Sequence, residues 1–171
     1  MASIAAVTRI LFVCMGNICR SPTAEGVMVH LLQEAGMSDR VHVDSAGTGG
    51  WHVGEPPDAR SAKCAARRGI PLAGAARQIS RQDFNDHDLV LCADASNVRD
   101  LLRLLPADDM VLCAKVRRLR EFDPASVATG DLDLPDPYYG GPRGFDTVLD
   151  HVTAACQGLL DRVRDGTLHH A

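Results

Sequence analysis

Thr8-Arg9-Ile10-Leu11-Phe12-Val13-Cys14-Met15-Gly16-Asn17-Ile18-Cys19-Arg20-Ser21-Pro22 is the stretch that decides the fold. Its apolar run Ile10-Leu11-Phe12-Val13 is the pattern of a strand buried on both faces of a parallel sheet. Ser21-Pro22 supplies an N-cap and a proline at the first helical position. Apolar residues then recur at Ala24, Val27, Met28, Leu31, Leu32 and Ala35. Those steps of three and four mark one helix face, and Gly36 is a natural stop. The opening therefore reads strand, short loop, helix.

The same alternation continues down the chain. Val41 to Val43 reads as a second strand, followed by a loop from Ser45 to Trp51. Asp58 is placed to cap a helix running to Arg68, with Gly69 ending it. Leu89 to Cys92 is a third buried strand, and Ser96 to Leu105 a helix stopped at Pro106. Met110 to Cys113 reads as a short fourth strand. Glu121 to Gly144, rich in proline and glycine, reads as one long loop of the kind that often carries function. Phe145 to Arg164 is a final amphipathic helix. Strands alternating with helices imply an α/β fold, a parallel sheet covered on both faces. Ligands of such sheets bind beyond the carboxyl ends of strands where the strand order reverses, which directs attention to the loop after the first strand.

Composition narrows the function classes. The 171 residues fit one domain, 1–171, with 46% apolar and 23% charged residues. A net charge of −4 makes nucleic acid a poor default partner. No apolar run approaches a membrane span, and the N-terminus lacks the pattern of a secretory signal, so no membrane role and a cytoplasmic setting are expected. There the six scattered cysteines read as reduced thiols. The seven histidines show no ligand spacing, so no metal is expected. His151 reads as a helix-face residue and His169-His170 as a solvated tail.

A cysteine followed six positions later by arginine is weak evidence alone, because Cys156 and Arg162 repeat the spacing inside a helical pattern. Context separates the two cases. Cys14 ends a strand and Arg20-Ser21 opens a helix, so the intervening residues can wrap with their N–H groups converging into an anion nest. Gly16 permits positive φ and close approach, and Asn17 tolerates the left-handed region. The helix N-terminus adds its dipole, and Arg20 a planar fork matched to two phosphate oxygens. The same positive field favours the Cys14 thiolate, and a Ser21 hydroxyl within reach would stabilise it further. A thiolate under a phosphate cradle points to in-line attack on phosphorus. The bland alternative, a buried cysteine beside a helix cap, leaves Gly16-Asn17 without a reason.

Cleaving a phosphate monoester also needs an acid for the leaving oxygen. Asp136, aimed by Pro137, is the candidate, with Asp131 and Asp133 as rivals that read better as solvated loop charges. Three of the seven aromatics, Trp51, Tyr138 and Tyr139, fall in loops, where they suit an aromatic substrate ring.

These residues resemble the low-molecular-weight protein tyrosine phosphatase family. The similarity rests on Val13 to Pro22 and Asp136-Pro137-Tyr138-Tyr139-Gly140. Asp44 to Thr48, Trp51, Ala76-Arg77-Gln78 and Ala93 to Asn97 follow the family's order between them. The resemblance implies a four-stranded parallel sheet, no cofactor and a cysteinyl-phosphate intermediate. It implies a catalytic set of Cys14, Arg20 and Asp136, with Met15, Gly16, Asn17, Ile18, Cys19, Arg20 and Ser21 around the phosphate. Asn17 would hold the strained loop backbone with Ser45 behind it, Cys19 would trap oxidised Cys14 as a disulfide, and Trp51, Tyr138 and Tyr139 would wall the slot. The implied partner is a phosphotyrosine-bearing protein, by analogy a bacterial tyrosine kinase, acted on by a monomer or weakly associating dimer. Two departures stand out. The stretch Leu72 to Arg77 lacks the histidine that many relatives place there to buttress the loop, and Met15 replaces a small polar residue at the mouth.

Arsenate reductases and protein arginine phosphatases carry a similar cradle. The first need clustered relay thiols, which Cys92 and Cys113 do not supply. The second resemble this loop with threonine in place of Ile18 and lack the paired tyrosines. A phosphotyrosine reader without catalysis, or a redox switch built on Cys14 and Cys19, would have no use for Asp136.

Overall fold

The structure, a computed structural model, describes residues 7–168. The proposed tail residues His169-His170 lie outside that range. Four strands, β1 (Thr8–Cys14), β2 (Val41–Gly47), β3 (Leu89–Cys92) and β4 (Val116–Arg118), form one parallel sheet in the order β2-β1-β3-β4. Around them lie α1 (Arg20–Glu34), α2 (Ala59–Ala66), α3 (Asp83–Asp86), α4 (Ala95–Leu102), α5 (Met110–Ala114), α6 (Pro124–Thr129) and α7 (Arg143–Asp165). The fold class is the one the alternation implied.

Central β1 is buried on both sides because successive side chains point to opposite faces. Ile10, Phe12 and Cys14 join Leu89 and Leu91 in a core with α1 and α7. Leu11 and Val13 join Val90 and Cys92 in a second core with Phe84 and Leu101. On the first face α7 comes so close to the 3₁₀ turn Leu119–Phe122 that a Cβ on Gly158 would sit 1.9 Å from the Phe122 carbonyl oxygen. Strand order reverses between β1, which continues to its β2 neighbour, and β3 on its other side, and the loop after β1 opens at that point.

Several local expectations are corrected. Met110 to Cys113 is helical: the Asp109 carboxylate accepts the Leu112 amide at 3.0 Å and nucleates a turn, leaving Met110 and Val111 exposed. The fourth strand is Val116-Arg117-Arg118, which has no apolar run and whose Arg117 guanidinium lies over the Phe122 ring. Ser45 belongs to β2, paired with Phe12, because β2 runs alongside β1 as far as Cys14. α4 begins at Ala95, one residue before Ser96, because Asp94 and Asn97 form a reciprocal cap. The long loop from Glu121 is interrupted by α6, with Asp123 as cap and Gly130 at φ 74° as stop, so only 130–142 is irregular. His151 is half-buried on α7.

Candidate active site

The loop between β1 and α1 is held open by what its carbonyls do. Cys14 and Met15 carbonyls accept the amides of Thr48 and Gly49 at 2.9 and 3.0 Å, and the Ile18 carbonyl accepts the Asp58 amide at 2.8 Å. The Cys19 carbonyl takes the Thr23 hydroxyl at 2.7 Å. The acceptors therefore face the scaffold. The amides of Met15, Gly16, Ile18, Cys19 and Arg20 have no acceptor among the described residues. Donors without acceptors at a helix N-terminus make an anion site.

Two details of the loop differ from expectation. Ser21 is not the N-cap of α1. Cys19 occupies that position without a side-chain cap, and the Ser21 Oγ lies 3.0 Å from the Cys14 Sγ instead. Gly16 is not at positive φ. The one non-glycine residue that is, among those described, is Asn17 at φ 55°. Gly16 matters for space, since a Cβ there would meet the His52 ring at 3.1 Å.

Asn17, 4% exposed, is the knot of the support. Its Nδ2 donates to Ser21 Oγ at 2.9 Å and Ser45 Oγ at 3.0 Å, and its Oδ1 accepts the Arg77 amide at 2.9 Å. The Arg77 main chain thus supplies the donor that a histidine in 72–77 would have offered. It is delivered there because Gly47 pairs with Gln78 and its amide donates to the Arg77 carbonyl. The Arg77 guanidinium is in turn clamped by Asp44 and Asp83. The Ser45 hydroxyl donates a hydrogen bond to Glu25, whose carboxyl burial pushes up, along with Asp44, against the pull of Ser45 and Arg77.

Cys14, buried at the end of β1, accepts the Asn17 amide at 3.3 Å. Because Ser21 Oγ already receives an Asn17 proton, its own hydroxyl proton is free to point at the Cys14 sulfur, closer at 3.0 Å than the Ala46 carbonyl at 3.4 Å. Arg20 is buried, with Nη1 on Asp94 at 2.6 Å and the Leu134 carbonyl at 3.1 Å, and Nη2 on Asp136 at 3.3 Å. Burial opposes its charge, but Cys14, Asp94 and Asp136 more than compensate, so it is held as a cation. Asp136 keeps its other oxygen on the Tyr138 amide at 3.1 Å. Cys19 is buried in the same loop, and burial, aided by Asp58, Cys14 and Asp136 and opposed by Ser61, pushes its thiol up to about 12.

A cavity of about 260 Å³ collects Cys14, Met15, Gly16, Ile18, Cys19, Arg20, Asp136, Trp51, Tyr138 and Tyr139. Asn17, Ser21 and Ser45 stand behind it. Asp131 and Asp133 do not line it: they pair with Arg120 and Arg118. Tyr138 and Tyr139 meet edge to face at 4.8 Å, and Trp51 is largely exposed at the rim. Three residues escaped sequence reasoning. His52 lines the cavity beside Tyr138, its Nδ1 2.8 Å from Glu55, and adjacency to Trp51 was its only signal. Asp94, marked in the sequence only by the Ala93 to Asn97 resemblance, caps α4 and also holds Arg20. Arg60, on α2, gave no signal and reaches the Tyr138 carbonyl. No three His, Cys, Asp or Glu side chains among the described residues are grouped to hold a metal, and no described helix is long and apolar enough to cross a membrane.

A buried thiol under an oxyanion cradle, with a carboxylate at its lip, defines the class as an α/β protein built to act on a phosphoryl group. The model of the low molecular weight phosphotyrosine protein phosphatase family matches residues 9–167. The low molecular weight protein-tyrosine-phosphatase of Streptomyces coelicolor is 52% identical over 157 residues, covering 92% of this chain and 94% of its own. A protein tyrosine phosphatase from Entamoeba histolytica, solved with Hepes in its active site, superposes with TM-score 0.87 at 34% identity, over 94% of this chain and 99% of that one. A Drosophila arginine phosphatase gives TM-score 0.81 at 32% identity, over 90% and 96%. The chain belongs to the low-molecular-weight phosphotyrosine protein phosphatase family and is a phosphoric monoester hydrolase.

Proposed function

We propose that the protein dephosphorylates phosphotyrosine in proteins through a cysteinyl-phosphate intermediate. The observation that carries this is one cavity with Cys14 at its base, Asp136 at its lip and Tyr138, Tyr139 and Trp51 as walls. Phosphate oxygens take the free loop amides and the Arg20 fork. Cys14 Sγ attacks phosphorus in line, the P–O bond to the phenol breaks, and Asp136 delivers its proton to the leaving oxygen. Asp136, now a carboxylate, removes a proton from water attacking the thiophosphate. The S–P bond breaks, and Ser21 donates to the departing thiolate. The aromatic walls and apolar Ile18 suit a phenyl ring. The partner is then a phosphotyrosine-bearing protein, met in the cytoplasm.

The Drosophila relative raises a second reading, phosphoarginine, which would use the same nucleophile and cradle. Steady-state hydrolysis of phosphotyrosine, phosphoserine and phosphoarginine peptides by the wild type, Cys14→Ser and Asp136→Asn decides between them. Turnover confined to phosphotyrosine, abolished at Cys14 and reduced roughly 10²-fold or more at Asp136, is the expected result. Preference for phosphoarginine would keep Cys14 and overturn the role given to Ile18 and the tyrosines. Binding of phosphotyrosine without turnover would overturn catalysis itself.

A further inference from the structure

We infer that Arg60 is a positioning residue for the proton donor, tying the loop that carries Asp136 to the loop that carries Cys14; this rests on the proton-donor role proposed for Asp136. Arg60 and Asp58 act as one unit. The Asp58 amide donates to the Ile18 carbonyl of the phosphate loop at 2.8 Å. Its carboxylate grips the Arg60 guanidinium twice, from Nε at 3.0 Å and from Nη2 at 2.8 Å. The remaining Nη1 donates to the Tyr138 carbonyl at 3.1 Å, and the guanidinium lies 5.3 Å from the Tyr138 ring centroid and 4.7 Å from that of Phe145, which is anchored in the core by α7. The Tyr138 amide holds the Asp136 carboxylate at 3.1 Å. An unbroken chain of contacts thus runs from Ile18 through Asp58, Arg60 and Tyr138 to Asp136.

Packing also holds the acid loop, with Pro137 buried and Tyr138 set against the core, but its polar ties are few. Among the described residues, the hydrogen bonds joining 135–140 to other segments are Arg20 to Asp136 and Arg60 to Tyr138. In the proposed reaction Arg20 turns its fork to the phosphate, which leaves Arg60 as the tether that persists through catalysis. The Arg60 guanidinium is half exposed over a mostly buried Asp58 carboxylate that also caps α2, and the bidentate grip fixes the direction in which the remaining Nη1 reaches Tyr138.

The test is kcat/KM across aryl phosphates whose phenols differ in acidity, from phenyl phosphate to 2,4-dinitrophenyl phosphate. A poor leaving group needs the proton from Asp136, and a good one does not. Arg60→Met should lower kcat/KM on phenyl phosphate by roughly 10- to 100-fold, as a misplaced catalytic group does, and on the dinitrophenyl ester by far less. Inhibition by inorganic phosphate should stay within about twofold, because the cradle is untouched. In an Asp136→Asn background Arg60→Met should cause no further loss. Arg60→Lys, which keeps charge and stem without the fork, should give an intermediate dependence, and it carries the test if Arg60→Met does not fold. Equal losses on all leaving groups, an additive double mutant, or no loss would overturn the inference. If Asp136→Asn itself leaves the leaving-group dependence unchanged, it is the role of Asp136 that fails.

Discussion

Replacing Asn17 tests whether the phosphate loop is held by its buried support. The side chain makes three hydrogen bonds in a fully buried setting, and the backbone sits at φ 55°, where an alanine is strained and a glycine is not. Asn17→Ala leaves the Arg77 amide without an acceptor, which costs about 1–3 kcal/mol. The left-handed conformation adds about 1–2 kcal/mol for a residue with a Cβ and no compensating amide. Asn17→Gly loses the same hydrogen bonds but not the second cost, so the two variants should differ by about 1 kcal/mol. Urea unfolding with a shared slope reads both values, and kcat/KM should fall roughly 10²-fold in each as loop amides leave their orientation. An Asn17→Ala variant within about 0.5 kcal/mol of wild type, or equal stability of the alanine and glycine variants, would refute the reasoning.

Other outcomes follow from single contacts. Gly158→Ala drives a Cβ into the Phe122 carbonyl, so it should destabilise by about 3 kcal/mol, visible as a Tm drop of about 10 °C, while kcat/KM at 20 °C changes little. Burial raises the Asp83 carboxyl, but Arg77 and the Ser80 amide and hydroxyl outweigh it and hold it below the usual range. A depressed carboxyl stabilises the fold above its unfolded value of about 4 and loses that contribution as pH falls through the lower folded value. Asp83→Asn should therefore be less stable than wild type in thermal melts at pH 7, with the gap closing below about pH 4; a gap that persists at pH 2 would contradict this. If Cys19 traps oxidised Cys14, peroxide takes Cys14 to the sulfenic acid and the Cys19 sulfur displaces its hydroxyl, releasing water and forming a disulfide. After excess peroxide, activity of the wild type should return with dithiothreitol, whereas Cys19→Ser, whose sulfenic acid is left to go on to the irreversible sulfinic acid, should recover far less.

The strand–loop–helix opening was legible because the burial pattern of β1 and the loop between two regular elements are local properties of the chain. Cys14, Arg20 and Asp136, which line one cavity, were legible as residue types at a strand end, a helix start and a Pro-restrained loop. β4 was not, since Val116-Arg117-Arg118 is held in the sheet by its pairing with β3 and by Arg117 packing on Phe122, neither of which leaves a pattern in the sequence. Met110 to Cys113 misled because apolar content says nothing about the Asp109 cap that turns it into a helix. The sequence by itself determined the alternating α/β order and the place of the loop between β1 and α1. Only the tertiary structure decided which backbone amide buttresses Asn17, that Asp94 grips Arg20, and that Arg60 reaches the Tyr138 carbonyl 78 positions away. Those contacts join segments remote along the chain, and their partners are chosen by the packing of the sheet and helices that brings them together.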